Sequence, residues 1–417
     1  MEIIIVGLAA LFFLGHALSW FFMKTKVPDL LILTILGFVA GPYGLGWINA
    51  SDFGEVGPVL STVALIVILY EGGLHLSMQD LIRSSSSALI LSLLSFASIV
   101  AVATFVLKPF LPFNLALLTG VGIGSTSSAI VIPMVKFLSI NKNTKTVLSL
   151  ESAFTDVLTI IIFLSVLDSI HSKQYDVTQF VLGLGSTPLI SVGIGIGAGL
   201  LWAMVKKFWK NVDQLSFSGE AWSLLTYGAT EFLQFNGAIS VLALGFTLSN
   251  VNLLPSAFRH IFSTEVSQKE LSLLSTITFL LRTFFFIYLG LLIQFTSISM
   301  FLIALLLCAL IFVTRYVTAR LILRRSLYPR LDAMTVVAMG PRGLACAVLA
   351  TLPLQKGIEG GDFIQNLIFS IIPLSILFTS IFVSLSEKEG FRSKLSSLFK
   401  KYDEQSASPP TEPSTLG

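Results

Sequence analysis

Glu151, Ser152 and Asp156 lie in an apolar run, residues 147–164, long enough to enter a bilayer. A charge at membrane depth costs on the order of 3 kcal/mol, so acids placed there have a task or a partner. At about 100° per residue, Ser152 and Asp156 share one helical face, and Glu151 falls to its side. A hydroxyl and a carboxylate on one face suit a small hard cation, which prefers oxygen ligands. The carboxylate of Asp156 can equally carry a proton. One group that holds either a cation or a proton is sufficient for exchange. The plainer alternative is that both acids serve in structural ion pairs.

Unpaired buried charges are costly, so Glu151 needs a partner. Arg315, in Phe312-Val313-Thr314-Arg315-Tyr316, and Arg342 are the candidates. A guanidinium stays protonated and is better suited to a fixed counter-ion than to a switch. Glu151 with Arg315 is the preferred pair, which leaves Arg342 to compensate helix-end dipoles or line an ion path. Arg282 has no obvious acidic partner; it snorkels or pairs with Glu231. Glu71, near the end of its run, reads equally as a funnel residue or a solvated helix-end acid, and Glu220 is as open. His16 reads as a packed neutral histidine. No His/Cys cluster, phosphate-binding glycine loop or Ser/His/Asp set presents itself. Glu151 and Asp156 sit on one helix, which argues against an intramembrane aspartyl protease. An enzyme is not expected.

The elements that carry these residues are apolar throughout. The 417 residues are 54% hydrophobic and 12% charged, against about 25% charged in soluble domains. The mean hydropathy is +0.87. Cys308 and Cys346 both fall in apolar runs and imply no disulfide framework. Apolar runs occur at 3–22, 28–47, 56–73, 86–107, 114–135, 147–170, 183–205, 218–234, 237–252, 271–293, 297–320, 332–354 and 363–385, giving thirteen expected spans. The eighth and ninth are the weakest, and a pair of half-length segments is the alternative there. With the N-terminus outside and the C-terminus inside, 20 of the 26 Lys and Arg fall on the cytoplasmic side, as membrane topology favours. Residues 1–386 form the expected transmembrane domain. Residues 387–417 form a short cytoplasmic tail, basic at first, then rich in Ser, Pro and Glu and expected to be disordered.

Two runs are interrupted in corresponding places. The fifth contains Gly120-Val121-Gly122-Ile123-Gly124-Ser125-Thr126-Ser127-Ser128, and the twelfth Gly340-Pro341-Arg342-Gly343. Freed backbone groups are tolerated at membrane depth only where they face a cavity, an ion or other protein. Paired breaks in two halves of a transporter mark the binding site of an inverted-repeat fold. Close packing through small residues is the plainer alternative for the fifth run.

Taken in order and spacing, Tyr70-Glu71-Gly72-Gly73-Leu74-His75-Leu76, Ser125-Thr126-Ser127-Ser128-Ala129, Glu151-Ser152-Ala153-Phe154-Thr155-Asp156, Arg315 and Gly340-Pro341-Arg342-Gly343-Leu344-Ala345 resemble a known family. It is the monovalent cation/proton antiporters of the NhaP and Na+/H+-exchanger type, and the resemblance covers roughly residues 1–385. It implies an all-α membrane fold of about 13 helices, NhaA-like, with two broken crossing helices. It also implies a homodimer in which a core domain moves like an elevator against a dimerisation domain. The ion-binding aspartate falls on Asp156, and its helpers on Glu151, Ser152 and the backbone carbonyl of Thr126. The core ion pair falls on Glu151 and Arg315.

Two positions depart from the family pattern. Ser127 follows Thr126 where an aspartate is usual, and Thr155 precedes Asp156 where asparagine or aspartate is usual. The Ser-Thr-Ser-Ser run is closer to the Kef-type potassium branch. A single site aspartate implies electroneutral exchange of Na+ or K+ for H+, with a Kef-like gated potassium efflux pathway as the alternative. The cargo is the cation and the proton. No resident cofactor and no nucleic-acid partner are expected, and the expected setting is the cell membrane.

Overall fold

A chain in hydrocarbon must satisfy its backbone hydrogen bonds internally, and this one does so with helices. The computed structural model describes residues 2–25, 28–54, 56–75, 78, 86–171, 177–208, 218–253, 267–294, 297–323, 328–387 and 399. Among them fifteen α-helices follow in order. They are α1 (Glu2–Thr25), α2 (Asp29–Ala40), α3 (Val56–Leu74), α4 (Ser86–Leu107), α5 (Phe113–Gly122), α6 (Ser128–Lys136), α7 (Lys142–His171) and α8 (Val177–Phe208). Then come α9 (Ser218–Phe232), α10 (Gly237–Ser249), α11 (Gln268–Leu292), α12 (Ile298–Ile322), α13 (Arg330–Ala338), α14 (Leu344–Gln355) and α15 (Gly361–Glu387). Six helices, α4, α7, α8, α11, α12 and α15, include a stretch long and apolar enough to cross a membrane, and shorter apolar helices accompany them. Every apolar run of the sequence carries helix, but several of those helices are short and two runs are broken.

The helices form two bundles. α1, α2, α3, α8, α9, α10 and α11 pack among themselves, as do α4–α7 with α12–α15. The bundles meet more thinly, chiefly where α7 touches α8, α2 touches α15 and α3 touches α14. The packing partners also repeat. α2 lies on α11 as α10 lies on α3; α4 packs on α5 and α7 as α12 packs on α13 and α15; α7 touches α13 as α15 touches α5.

Two close crossings of the first bundle repeat to the atom. A Cβ on Gly37 would strike the Ile287 carbonyl, and one on Gly290 the Thr34 carbonyl. A Cβ on Gly73 would strike the Leu242 carbonyl, and one on Gly245 the Tyr70 carbonyl. In all four cases the carbonyl belongs to the residue three before the partner glycine. Lipid tails supply no hydrophobic drive between helices, so backbone approach through small residues is what holds such crossings.

The expected cytoplasmic tail lies outside the described residues from 388 onward, apart from Phe399, whose ring meets Tyr316 edge-on at 5.6 Å. The weak eighth and ninth runs form two separate short helices, α9 and α10, joined by a turn in which Gln234 has a positive φ of 63°. His16 is exposed on α1, not enclosed: its ring packs on Phe12 and Phe279 at 4.3 and 4.8 Å, and its outer side stays open.

Adjacent glycines of α3 test the crossing. Gly73→Ala should destabilise the folded protein by roughly 1–3 kcal/mol, because backbone has to move to admit the methyl. Gly72→Ala, with nothing within 4 Å of the new Cβ, should leave the melting temperature unchanged or raise it slightly. Equal melting temperatures for the two variants in detergent would contradict this account of the crossing.

Candidate ion-binding site at two broken helices

α5 stops at Gly122 and α6 begins at Ser128; α13 stops at Ala338 and α14 begins at Leu344. The second break contains Pro341, which has no N–H to give to a helix. The two breaks touch. Ser127 donates its backbone N–H to the Pro341 carbonyl at 2.9 Å, and a Cβ on Gly343 would overlap the Ser127 hydroxyl. Glycine at 343 is therefore what lets the two interrupted chains meet. Ser125, Thr126 and Ser127 are all buried at this meeting point.

Arg315 reaches the same place from α12. Its Nη1 and Nη2 donate to the two Glu151 oxygens at 2.6 and 3.1 Å. Nη1 also donates to the Thr126 hydroxyl at 3.2 Å. Nε and Nη2 donate to the Val336 carbonyl at 3.2 and 2.9 Å. All five N–H groups of the guanidinium thus have acceptors. Val336 lies in the last turn of α13, where carbonyls lose their helical partners; the N–H of Gly340 turns to Ala338 instead. One buried cation therefore joins α7, the fifth-run break and the end of α13.

Asp156 lies one turn beyond Glu151 and is only partly buried. Its Oδ2 accepts the backbone N–H of Ser128 at 3.0 Å and the Ser128 hydroxyl at 2.7 Å. This seats the carboxylate on the first N–H of α6, where free donors and the helix dipole favour negative charge. Thr155 accepts the Thr126 N–H at 3.2 Å and donates to the Ser152 carbonyl at 3.2 Å. Ser152 is fully buried and donates its hydroxyl to the Ser149 carbonyl at 3.0 Å.

The geometry joins Glu151 with Arg315 and Thr126, Thr126 with Thr155, and Asp156 with Ser128. Among the described residues no hydrogen bond links Asp156 to Ser152, Ser127 or Arg342. Arg342 is 2% exposed, makes no ion pair among the described residues, and has no partner for its Nε. Its Nη1 reaches the Gly340 carbonyl at 3.4 Å and its backbone N–H the Ser375 hydroxyl at 2.8 Å, so it faces the carbonyl end of the second break.

Ser128 and Asp332 are absent from the expected site. Ser128 had a legible signal: as the first residue after a break, its N–H needs an acceptor. Asp332 of α13 accepts the Asn141 N–H at 3.1 Å and the Thr144 hydroxyl at 2.5 Å, capping the start of α7 from another helix. No sequence signal connects residues so far apart. Arg282 does not pair with Glu231. It lies 3.8 Å from Asp29, while Glu231 accepts the Gly237 N–H at 2.8 Å and so caps the start of α10. A crevice of about 240 Å³ separates α6 from α1, α2 and α11, with Asp29 and Arg282 on its wall and Ala129 and Ile130, next to Ser128, opposite.

The family model described as sodium/hydrogen exchanger, transmembrane, matches residues 8–388. The chain belongs to this family. Its members are monovalent cation/proton antiporters, a transporter family and not one of enzymes. The K(+)/H(+) antiporter NhaP2 of a Shewanella species is 27% identical over 371 residues, covering 85% of this chain and 61% of that protein. The Na(+)/H(+) antiporter NhaS5 of a Synechocystis species is 23% identical over 375 residues, covering 86% of this chain and 51% of that protein. The chain spans about three-fifths of the first relative's length and half of the second's. The structure of the sodium proton antiporter MjNhaP1 from Methanocaldococcus jannaschii at pH 8 superposes with a TM-score of 0.72 at 22% identity, over 91% of this chain and all of that one. The fold is thus the all-helical membrane fold of MjNhaP1. These likenesses do not favour a Kef-like channel.

Removing one member of a buried pair strands the other charge. Arg315→Leu or Glu151→Leu alone should cost about 3–5 kcal/mol of stability, and the double variant less than the sum of the two. Additive losses in a thermal-unfolding cycle would show that the pair is not coupled.

Proposed function

We propose that the protein is an electroneutral antiporter that exchanges one Na+ or K+ for one H+ at Asp156. The observation that carries this reading is the seat of that carboxylate. It is partly open, held through one oxygen by Ser128, and set where two helix breaks meet. Oδ2 is oriented by α6, and Oδ1 takes either a proton or, with the Ser152 hydroxyl and the Thr126 carbonyl, the cation. Ser127 and Thr155 stand where a second carboxylate would raise the site's charge. Glu151 and Arg315 pair with one another, which leaves Asp156 as the exchanging carboxylate near the charge of Arg342. Its two loaded forms, protonated and cation-bound, carry the same charge. Exchange between them moves none.

Alternating access follows from the two bundles. The α4–α7 and α12–α15 bundle carries the site as the moving core, and its thin contacts with the other bundle are the sliding surface. The repeated packing partners and glycine crossings support an inverted repeat of thirteen spans with two crossing broken helices. On the basic-residue count, the N-terminus lies outside and the C-terminus in the cytoplasm of a cell membrane. The crevice beside α6 is then the cytoplasmic approach to Asp156. A homodimer formed through the first bundle anchors the scaffold. Relatives named for K+ and for Na+ leave both cations as candidates.

Proteoliposomes with the membrane potential clamped test the proposal. Na+ or K+ gradients should drive proton flux independent of the clamped voltage, and Asp156→Asn should abolish it. Unchanged flux in Asp156→Asn would remove Asp156 from the mechanism, and flux that scales with voltage would refute electroneutrality.

A further inference from the structure

The second bundle has an apolar groove that ion exchange does not use. Between α4, α5 and α7 lies about 780 Å³ of space. Its floor includes Leu117 and Val121 of α5 and Leu158 of α7, and its α4 wall includes Ala97, Ala101 and Phe105. The two alanines and Phe105 are exposed. Thr104 also lines the groove, but its hydroxyl is spent on the Val100 carbonyl at 2.7 Å. From Leu93 to Lys108 the wall rises through about 22 Å at 1.5 Å per residue. One leaflet's hydrocarbon depth is about 15 Å. A single acyl chain therefore fits lengthwise.

The end of the groove is chemically different. Lys108 lies just past the last turn of α4, exposed, and makes no ion pair among the described residues. Lys108 directly follows the apolar run of α4, so its ammonium reaches the headgroup level while Phe110 and Phe113 beside it, 57% and 62% exposed, stay against the hydrocarbon. An unpaired ammonium at that level, at the mouth of a slot sized for a hydrocarbon chain, complements a phosphate group. We propose that this groove is a binding site for one anionic phospholipid, with an acyl chain along α4 and the phosphate on Lys108. The bound chain would rest on Val121, one residue before the end of α5, and on Leu158, two residues after Asp156. It would support the broken helix from its lipid side.

Native mass spectrometry of the full chain, delipidated in mild detergent and supplied with phosphatidylglycerol or phosphatidylcholine of equal chain length, reads the site directly. Wild-type protein should retain phosphatidylglycerol in preference. Lys108→Gln should lower that preference about five-fold, the effect of one basic residue at an anionic surface. The double variant Ala97→Phe/Ala101→Phe, whose rings fill the groove from its exposed wall, should lose both lipids while keeping the wild-type melting temperature. Equal retention of the two lipids by wild type would overturn the proposal, as would a folded double variant that retains lipid like wild type. A homodimer split by the double variant without change in lipid would instead assign the groove to a second copy of the chain. If the double variant does not fold, the Lys108→Gln preference decides alone.

Discussion

A guanidinium cannot be left unsatisfied inside a membrane, and the arrangement around Arg315 answers that constraint. Its five donors are used by a carboxylate of α7, a hydroxyl in the fifth-run break and a carbonyl at the end of α13. Each acceptor needs the arginine as much as it needs them. Glu151 is fully buried, and the Val336 carbonyl has lost its helical partner. The breaks are therefore held at a fixed height relative to α7. That fixes Ser128 opposite Asp156, one helical turn from Glu151. In the proposed exchange the ion pair carries no cargo; it sets where Asp156 sits.

Around this centre the helix ends are compensated one by one. Asp156 faces the amide end of α6, Arg342 faces the carbonyl end of α13, and Asp332 caps the amide end of α7. A helix dipole places partial positive charge at the N-terminus and negative charge at the C-terminus, so each pairing has the favourable sign. Broken helices are expensive in lipid because they expose such ends. Here the exposed ends orient charged side chains, and Asp156 is held on one backbone amide and one hydroxyl of Ser128.

Much of this was legible in the chain because membranes exaggerate exceptions. An acid or arginine in an apolar run is conspicuous, and so is Gly-Pro-Arg-Gly in the middle of one. Those signals located α7, both breaks, and Glu151 with Arg315. What was not legible depends on three-dimensional register. The glycines at 37, 73, 245 and 290 read as ordinary small residues until α2 meets α11 and α3 meets α10. Asp332 and Thr144 carry no local hint of one another. Of the two readings of Arg282, snorkelling or pairing with Glu231, the second fails because Glu231 serves the tight turn before α10, a local backbone need that apolar patterning does not reveal. Nothing in the sequence separates Ser128 from its neighbour Ser127 as the first residue after the break; only the folded chain turns the Ser127 N–H to Pro341 and the Ser128 N–H to Asp156.

A single carboxylate that holds either a proton or a cation has to give up the one to take the other. Proton counting reads that trade. Purified protein in weakly buffered detergent solution, titrated with Na+ or K+, should release one proton for each cation bound, and Asp156→Asn should release none. Cation binding without proton release, or release of two protons per cation, would contradict the account.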